Sequence, residues 1–360
     1  MMRVGGLRLI GVALAVAGCG SCGEGRGSES EAASATETES ATETEAESAT
    51  ETPSGSATEA GSATERSATE AGSDRSRRVD PSGTHVVVLG SGTPVPYPDR
   101  AGPATAVVVD GRAYLVDFGT NVVRRAAEAA ERTGLAGLAP EALRMAFCTH
   151  LHSDHTLGYA DLILTPWVVG RREPLRVWGP PGIEAMTSKL LDAYAADVRM
   201  RTEGLERASP GGHRVKVREI AEPGLVHEDE RVRVRAFEVD HGSFEHAYGY
   251  RFETDDRAVV ISGDTRPTDA VVRACDGCDV LVHEVYSETG LKTLPPQSRR
   301  YHREFHTSAT ELADIAERAD PDLLVLTHQL TWGAAPATIL DPLTARWKGD
   351  VVWAEDLTVH

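Results

Sequence analysis

Large apolar side chains are nearly missing from residues 1–78 once a short run near the N-terminus is set aside, so this stretch cannot build a core. Residues 79–360 remain as one domain of roughly 280 residues, long enough to bury a sizeable interior. Positive charge is also short. Against 55 Asp and Glu stand 37 Lys and Arg, a formal net charge of −18. A polyanion such as tRNA draws most of its affinity from phosphate neutralisation by Lys and Arg, so this balance argues against tRNA as a partner. A small anionic substrate held by metal ions stays open. Cysteine is sparse: Cys19 and Cys22 lie in or beside the leader, and Cys148, Cys275 and Cys278 are too few for a disulfide framework. The lone Cys275-x-x-Cys278 reads as ordinary packing or an incidental disulfide more readily than as redox or metal chemistry. The apolar run at residues 9–17 falls short of the roughly 20 residues that span a bilayer.

That run follows Arg3 and Arg8 and ends at Gly18-Cys19, the layout of a secretory leader with small residues at its cleavage site. Val16-Ala17-Gly18-Cys19 resembles the lipobox of bacterial lipoproteins. The resemblance implies a signal peptide at residues 1–18, lipid on Cys19, and an extracytoplasmic protein anchored to a bacterial membrane. The plainer alternative is an ordinary signal peptide with a chance cysteine. From Glu24 to Arg78 the units Ser-Ala-Thr-Glu-Thr-Glu and Ser-Ala-Thr-Glu-Ala-Gly recur. So little apolar surface cannot offset the entropy of ordering, so residues 19–78 are expected to be a disordered tether.

Beyond Arg78 the pattern changes. Residues 84–89 form a β-branched strand run closed by Gly90-Ser91-Gly92-Thr93-Pro94. Residues 104–109 and 113–116 flank Asp110-Gly111, which suits the tight turn of a β-hairpin. A helix is expected over 122–132, strands over 145–148, 175–178 and 231–239, and a second hairpin over 248–262 with Asp255-Asp256 at its tip. Further strands fall at 280–282, 323–326 and 351–353. Leu312, Ile315, Ala316 and Ala319 give one apolar helical face, with Ser308 and Glu311 as a capping box. Residues 186–205 read as one helix of mixed charge and residues 294–301 as a loop. Early hairpins followed by strands separated by helices predict an α/β fold, two mixed sheets packed face to face with helices outside in a four-layer αββα sandwich.

Chemistry concentrates in Thr149-His150-Leu151-His152-Ser153-Asp154-His155. In an extended segment His150 and His152 point to one side, and Asp154 and His155 can turn toward a second ion. Imidazole and carboxylate suit zinc, with manganese or iron as alternatives. Val239-Asp240-His241, Gly263-Asp264 and Leu326-Thr327-His328 each put a candidate ligand after an apolar strand. Alone, each reads as a cap or core residue as easily as a ligand. Together they can converge on one sheet edge.

His-x-His-x-Asp-His with separate His, Asp and His at strand ends resembles the metallo-β-lactamase superfamily. Within it, Leu89-Gly90-Ser91-Gly92-Thr93-Pro94, Leu115-Val116-Asp117-Phe118-Gly119, His283-Glu284 and His306-Thr307-Ser308 are similar to the ribonuclease Z branch. Leu281-Val282-His283-Glu284-Val285-Tyr286 and Tyr301-His302 resemble its arylsulfatase-like subgroup. The resemblance implies two zinc ions per chain: His150, His152 and His241 on one, Asp154, His155 and His328 on the other, and Asp264 shared. It implies catalytic roles for Asp154, which steers a water proton, for His306 on the leaving side, and for Glu284, which orients His306. Asp117 is expected to be structural. Relatives are often dimers, so the resemblance admits a homodimer.

The tRNA-processing members carry a long basic arm that residues 158–240 lack. The expected activity is therefore hydrolysis of a small anionic ester, a sulfate ester or a phosphodiester, with water activated between the ions. A lactone, β-lactam or thioester hydrolase on the same fold is an alternative, as is a ribonuclease Z-type phosphodiesterase or endonuclease. A non-catalytic metal-binding surface protein is a third class.

Overall fold

The computed structural model describes residues 78–360. The expected leader, Cys19 and nearly all of the tether lie outside the described residues.

One sheet holds six strands in sequence order: β1 (Thr84–Gly90), β2 (Ala104–Val109), β3 (Arg112–Val116), β4 (Met145–Phe147), β5 (Leu175–Gly179) and β6 (Val215–Glu219). The first three pair antiparallel and the rest parallel. Asp110 and Gly111 both have positive φ, as the expected β2–β3 hairpin turn requires. A second sheet holds β7 (Gly224–Glu228), β8 (Arg233–Glu238), β9 (Tyr248–Glu253), β10 (Ala258–Ile261), β11 (Val280–Tyr286), β12 (Leu323–Leu330) and β13 (Asp350–Trp353), in the spatial order β13-β12-β11-β10-β9-β8-β7.

Between the sheets Val86, Val88, Val107, Tyr114, Phe147, Tyr250, Phe252, Val259 and Val282 make one apolar layer. The other face of the first sheet packs under α1 (Val122–Thr133) and residues of α3 (Tyr159–Val168) and α4 (Ile183–Ala193). On the far face of the second sheet lie α6 (Asp269–Cys275), α9 (Ala309–Ala319) and α10 (Ala337–Arg346). This is the predicted four-layer αββα sandwich. The Ser308–Glu311 capping box is present at α9. The chain is completed by α2 (Ser153–Thr156), α5 (Ala195–Glu203), α7 (Glu288–Leu291) and α8 (Pro296–Phe305).

Three expectations change. The single helix over 186–205 is two, α4 and α5, broken at Tyr194; α5 buries no residue, so nothing in the core holds it in line with α4. The expected loop at 294–301 is largely the first half of α8, because Pro296 takes the first helical position, where its missing N–H costs nothing. The strand β12 does not stop before His328 but runs through it. The open question over Cys275 and Cys278 resolves as a buried disulfide, which leaves Cys148 as the free cysteine among the described residues.

Candidate metal centre

Four strand segments deliver side chains to one end of the sandwich. From β4 the chain passes Cys148 and Thr149 into His150 and His152, then starts α2, which carries Asp154 and His155. The Tyr250 hydroxyl reaches across from the second sheet and donates to the Cys148 carbonyl at 2.6 Å, and the Tyr248 N–H donates to that of Thr149 at 2.9 Å. His241 follows β8. Asp264 follows β10 after Gly263, whose φ of 64° is one that glycine adopts without strain. His328 arrives by a bulge. Glu284 pairs with Thr327 and Val285 with Gln329, so His328 is the extra residue of β12, at φ 45°. A bulge of this kind re-aims a side chain.

His155, His150 and His241 each have Nδ1 pinned and Nε2 aimed inward. The His155 Nδ1–H donates to Asp117 Oδ2 at 2.7 Å, and the buried Nε2 has no hydrogen-bond partner among the described residues. The Thr149 hydroxyl donates to Asp117, so it accepts from His150 Nδ1 at 2.9 Å. The His241 Nδ1–H donates to the Phe305 carbonyl at 2.8 Å. The bare nitrogens then meet: His152 Nδ1 lies 3.0 Å from both His150 Nε2 and His241 Nε2. Tetrahedral zinc at about 2.0–2.1 Å from nitrogen places ligand atoms roughly 3.3 Å apart. Three ring nitrogens converging at this spacing suit a cation between them.

The second group is richer in charge. Asp154 Oδ2 lies 3.2 Å from His328 Nε2 and 3.6 Å from His155 Nε2. Asp264 Oδ2 lies 3.3 Å from His155 Nε2 and 3.5 Å from His328 Nε2. Asp264 also falls in one ligand-spaced group with His150 and His155 and in another with His241 and His306. It stands between the two clusters, where a shared ligand must be.

Charge agrees with this geometry. Burial favours neutral His155, yet Asp264, Asp117 and Asp154 hold its pKa well above the usual value. Burial acts likewise on His328, and Asp264 and Asp154 overcome it. Burial would raise Asp264, but His328 and His155 hold it well below the carboxylate range. Burial, with neighbouring imidazoles adding to it, drives His150 well below normal and pushes His241 down to about 3. The carboxylates therefore draw positive charge to His155 and His328, while His150 and His241 stay neutral. The donor set fits divalent transition metal.

His306 and Glu284 stand beside this cluster. The His306 Nδ1 is 3.5 Å from Glu284 Oε2 and 3.9 Å from Asp264 Oδ2. Burial pushes His306 down to about 4, and burial, with Asp264 next, pushes Glu284 well above the usual range. Glu284 Oε1 accepts the Thr307 N–H at 2.8 Å, and the Thr307 hydroxyl donates to the Thr265 carbonyl at 2.7 Å, which fixes the segment that presents His306. All nine residues singled out on the described chain thus come together. Sequence reasoning missed how directly Asp117 acts: the signal was an Asp directly after a strand, here at φ 62°. It also missed Phe244 and Phe305, whose rings lie 4.5 Å from His152 and 5.0 Å from His241.

Comparison with known proteins gives a family. The Beta-lactamase superfamily domain matches residues 112–329. A Ribonuclease Z from Mycobacterium sp. (strain KMS) is 37% identical over 250 residues, 68% of this chain and 84% of that protein. Among solved structures, the metallo-beta-lactamase fold protein YhfI from Bacillus subtilis superposes with a TM-score of 0.59 at 18% identity, covering 77% of this chain and 98% of that one. The short form of human tRNase Z gives 0.58 at 21% identity with the same coverage.

Proposed function

We propose, for a chain that belongs to the metallo-β-lactamase superfamily, has ribonuclease Z homologues and is thus a metal-dependent hydrolase, that it cleaves phosphodiesters at a dinuclear centre. The observation that carries the reading is Asp264 standing between the His150–His152–His241 trio and the Asp154–His155–His328 trio, with His306 at their edge. Two bound divalent ions, zinc by donor chemistry, would lower the pKa of water to about 7 and polarise a phosphoryl oxygen. The first trio would hold one ion and the second the other, with Asp264 placed to serve both. Asp154 would also steer the water proton. His306, kept neutral by burial, would polarise or protonate the departing oxygen, and Glu284 would keep the imidazole in place.

Homologues named Ribonuclease Z favour a phosphodiester over the sulfate ester expected from the arylsulfatase-like motifs. Net charge still speaks for a small substrate over tRNA. The span where a basic arm would project carries α4 and α5, whose Glu184, Asp192, Asp197 and Glu203 offset Lys189, Arg199 and Arg201. Export and a lipid on Cys19 complete the reading. Support comes from the Cys275–Cys278 disulfide, since such bonds persist in oxidising compartments. No helix among the described residues is long and apolar enough to cross a membrane.

The test is a substrate panel on the metal-loaded full chain: bis(p-nitrophenyl) phosphate, p-nitrophenyl sulfate, a pre-tRNA, and a lactone, β-lactam and thioester. Metal-dependent turnover of the phosphodiester above all others is expected. Preference for the sulfate overturns the reading in favour of an arylsulfatase.

A further inference from the structure

A row of aromatic rings borders His306. Phe305, buried beside His241, stacks on Tyr301 with centroids 4.2 Å apart and planes at 29°. Tyr301 lies 5.0 Å from His302, and His302 lies 4.7 Å from Trp332. Tyr301 and His302 stand 6.5 and 5.6 Å from His306. The row is therefore continuous, and it reaches from the first ligand trio to the segment after His328.

Three features set it apart from ordinary surface packing. Tyr301 stacks on Phe305 yet is 39% exposed, so part of the ring meets solvent beside the site. Trp332 sits at φ 49°, left-handed backbone that a bulky side chain adopts at a cost, and such outliers gather at active sites and ligand clamps. His302 Nδ1 is buried without a hydrogen-bond partner among the described residues. Such a wall, with flat faces and little charge, does not recognise phosphate.

We propose that this wall selects the organic part of the substrate: a planar aromatic group esterified to the phosphate stacks on the exposed part of the Tyr301 ring, with His302 and Trp332 continuing the surface. The inference rests on the phosphodiesterase reading and names its substrate class. An aryl ring and a nucleobase share the required chemistry, since each offers a π-face.

The test measures competitive inhibition of bis(p-nitrophenyl) phosphate hydrolysis by metal-loaded full-length protein. The inhibitors are phenyl phosphate against methyl phosphate, and uridine 5′-monophosphate against ribose 5-phosphate. Wild type should bind the aromatic member of a pair roughly tenfold more tightly. Tyr301→Ala should erase that preference while leaving the non-aromatic member unchanged, and Tyr301→Phe should keep it. Preference within the uridine pair alone identifies a nucleobase, and within the phenyl pair alone a small aryl group. Equal weakening of both members in Tyr301→Ala, or no preference in wild type, overturns the proposal. Absence of phosphodiester turnover overturns instead the reading on which it rests; calorimetric binding of phenyl and methyl phosphate then decides the wall separately.

Discussion

Asp117 holds His155 from behind: its Oδ2 accepts the imidazole Nδ1–H at 2.7 Å, and the opposite nitrogen, Nε2, points at Asp264 from 3.3 Å. The same carboxylate accepts the N–H and the hydroxyl of Thr149, so one side chain sets both ends of the His150–His155 segment. Asp117→Asn should keep the fold but weaken metal affinity about 10–100-fold, the usual loss when the partner behind a ligating histidine is removed. Competition with a chelator reads it. Affinity equal to wild type would make Asp117 a turn residue only.

For His306 the expected signature is loss of turnover without loss of metal. His306→Ala should cut turnover roughly 10²–10⁴-fold on esters with poor leaving groups. The deficit should shrink for nitrophenolate, which departs unprotonated. Glu284→Gln should show a milder loss of the same kind. If His306→Ala keeps full activity on poor leaving groups, the proton donor is elsewhere.

How much of this was legible in the sequence depends on where the information lies. The His150–His155 motif needs its residue types close together in the chain, so it shows. Asp117 acts on a residue 38 positions away, and an Asp after a strand looks locally like a turn. The bulge at His328 is a mismatch between β12 and β11, which no property of β12 alone reveals. The edge strands β6 and β7 escaped notice because they bury little: Val215–Glu219 has no fully buried residue and Gly224–Glu228 only His227. Pro295-Pro296 looked like a loop, although one proline begins a helix.

Far from the metal centre, Asp229 gives a stability prediction. Burial raises its pKa, but the Arg231 N–H, the Tyr114 hydroxyl and His227 outweigh this and hold it down to about 2. A depressed carboxylate stabilises the fold above its unfolded value, near 3.9, and that contribution fades as pH falls through the folded value. Asp229→Asn should therefore destabilise the protein at pH 7 by on the order of 1–2 kcal/mol. Denaturant midpoints should converge with wild type between about pH 4 and pH 2. A gap that stays constant across that window contradicts the ionised role.

Cys19 tests the anchoring proposal. In a bacterial host, wild type should partition with membranes and carry lipid on Cys19 by mass spectrometry. Cys19→Ser should lose the lipid. Identical soluble behaviour of both forms makes the lipobox resemblance a coincidence.

The central claim is a centre of two ions joined by one carboxylate, and elemental analysis of wild type beside Asp264→Ala tests it most directly. Purified wild type should hold about two transition-metal ions per chain, predominantly zinc. Asp264→Ala should lose occupancy at both positions together, with its fold intact by circular dichroism. Wild type without bound metal, or Asp264→Ala retaining both ions, would contradict the account.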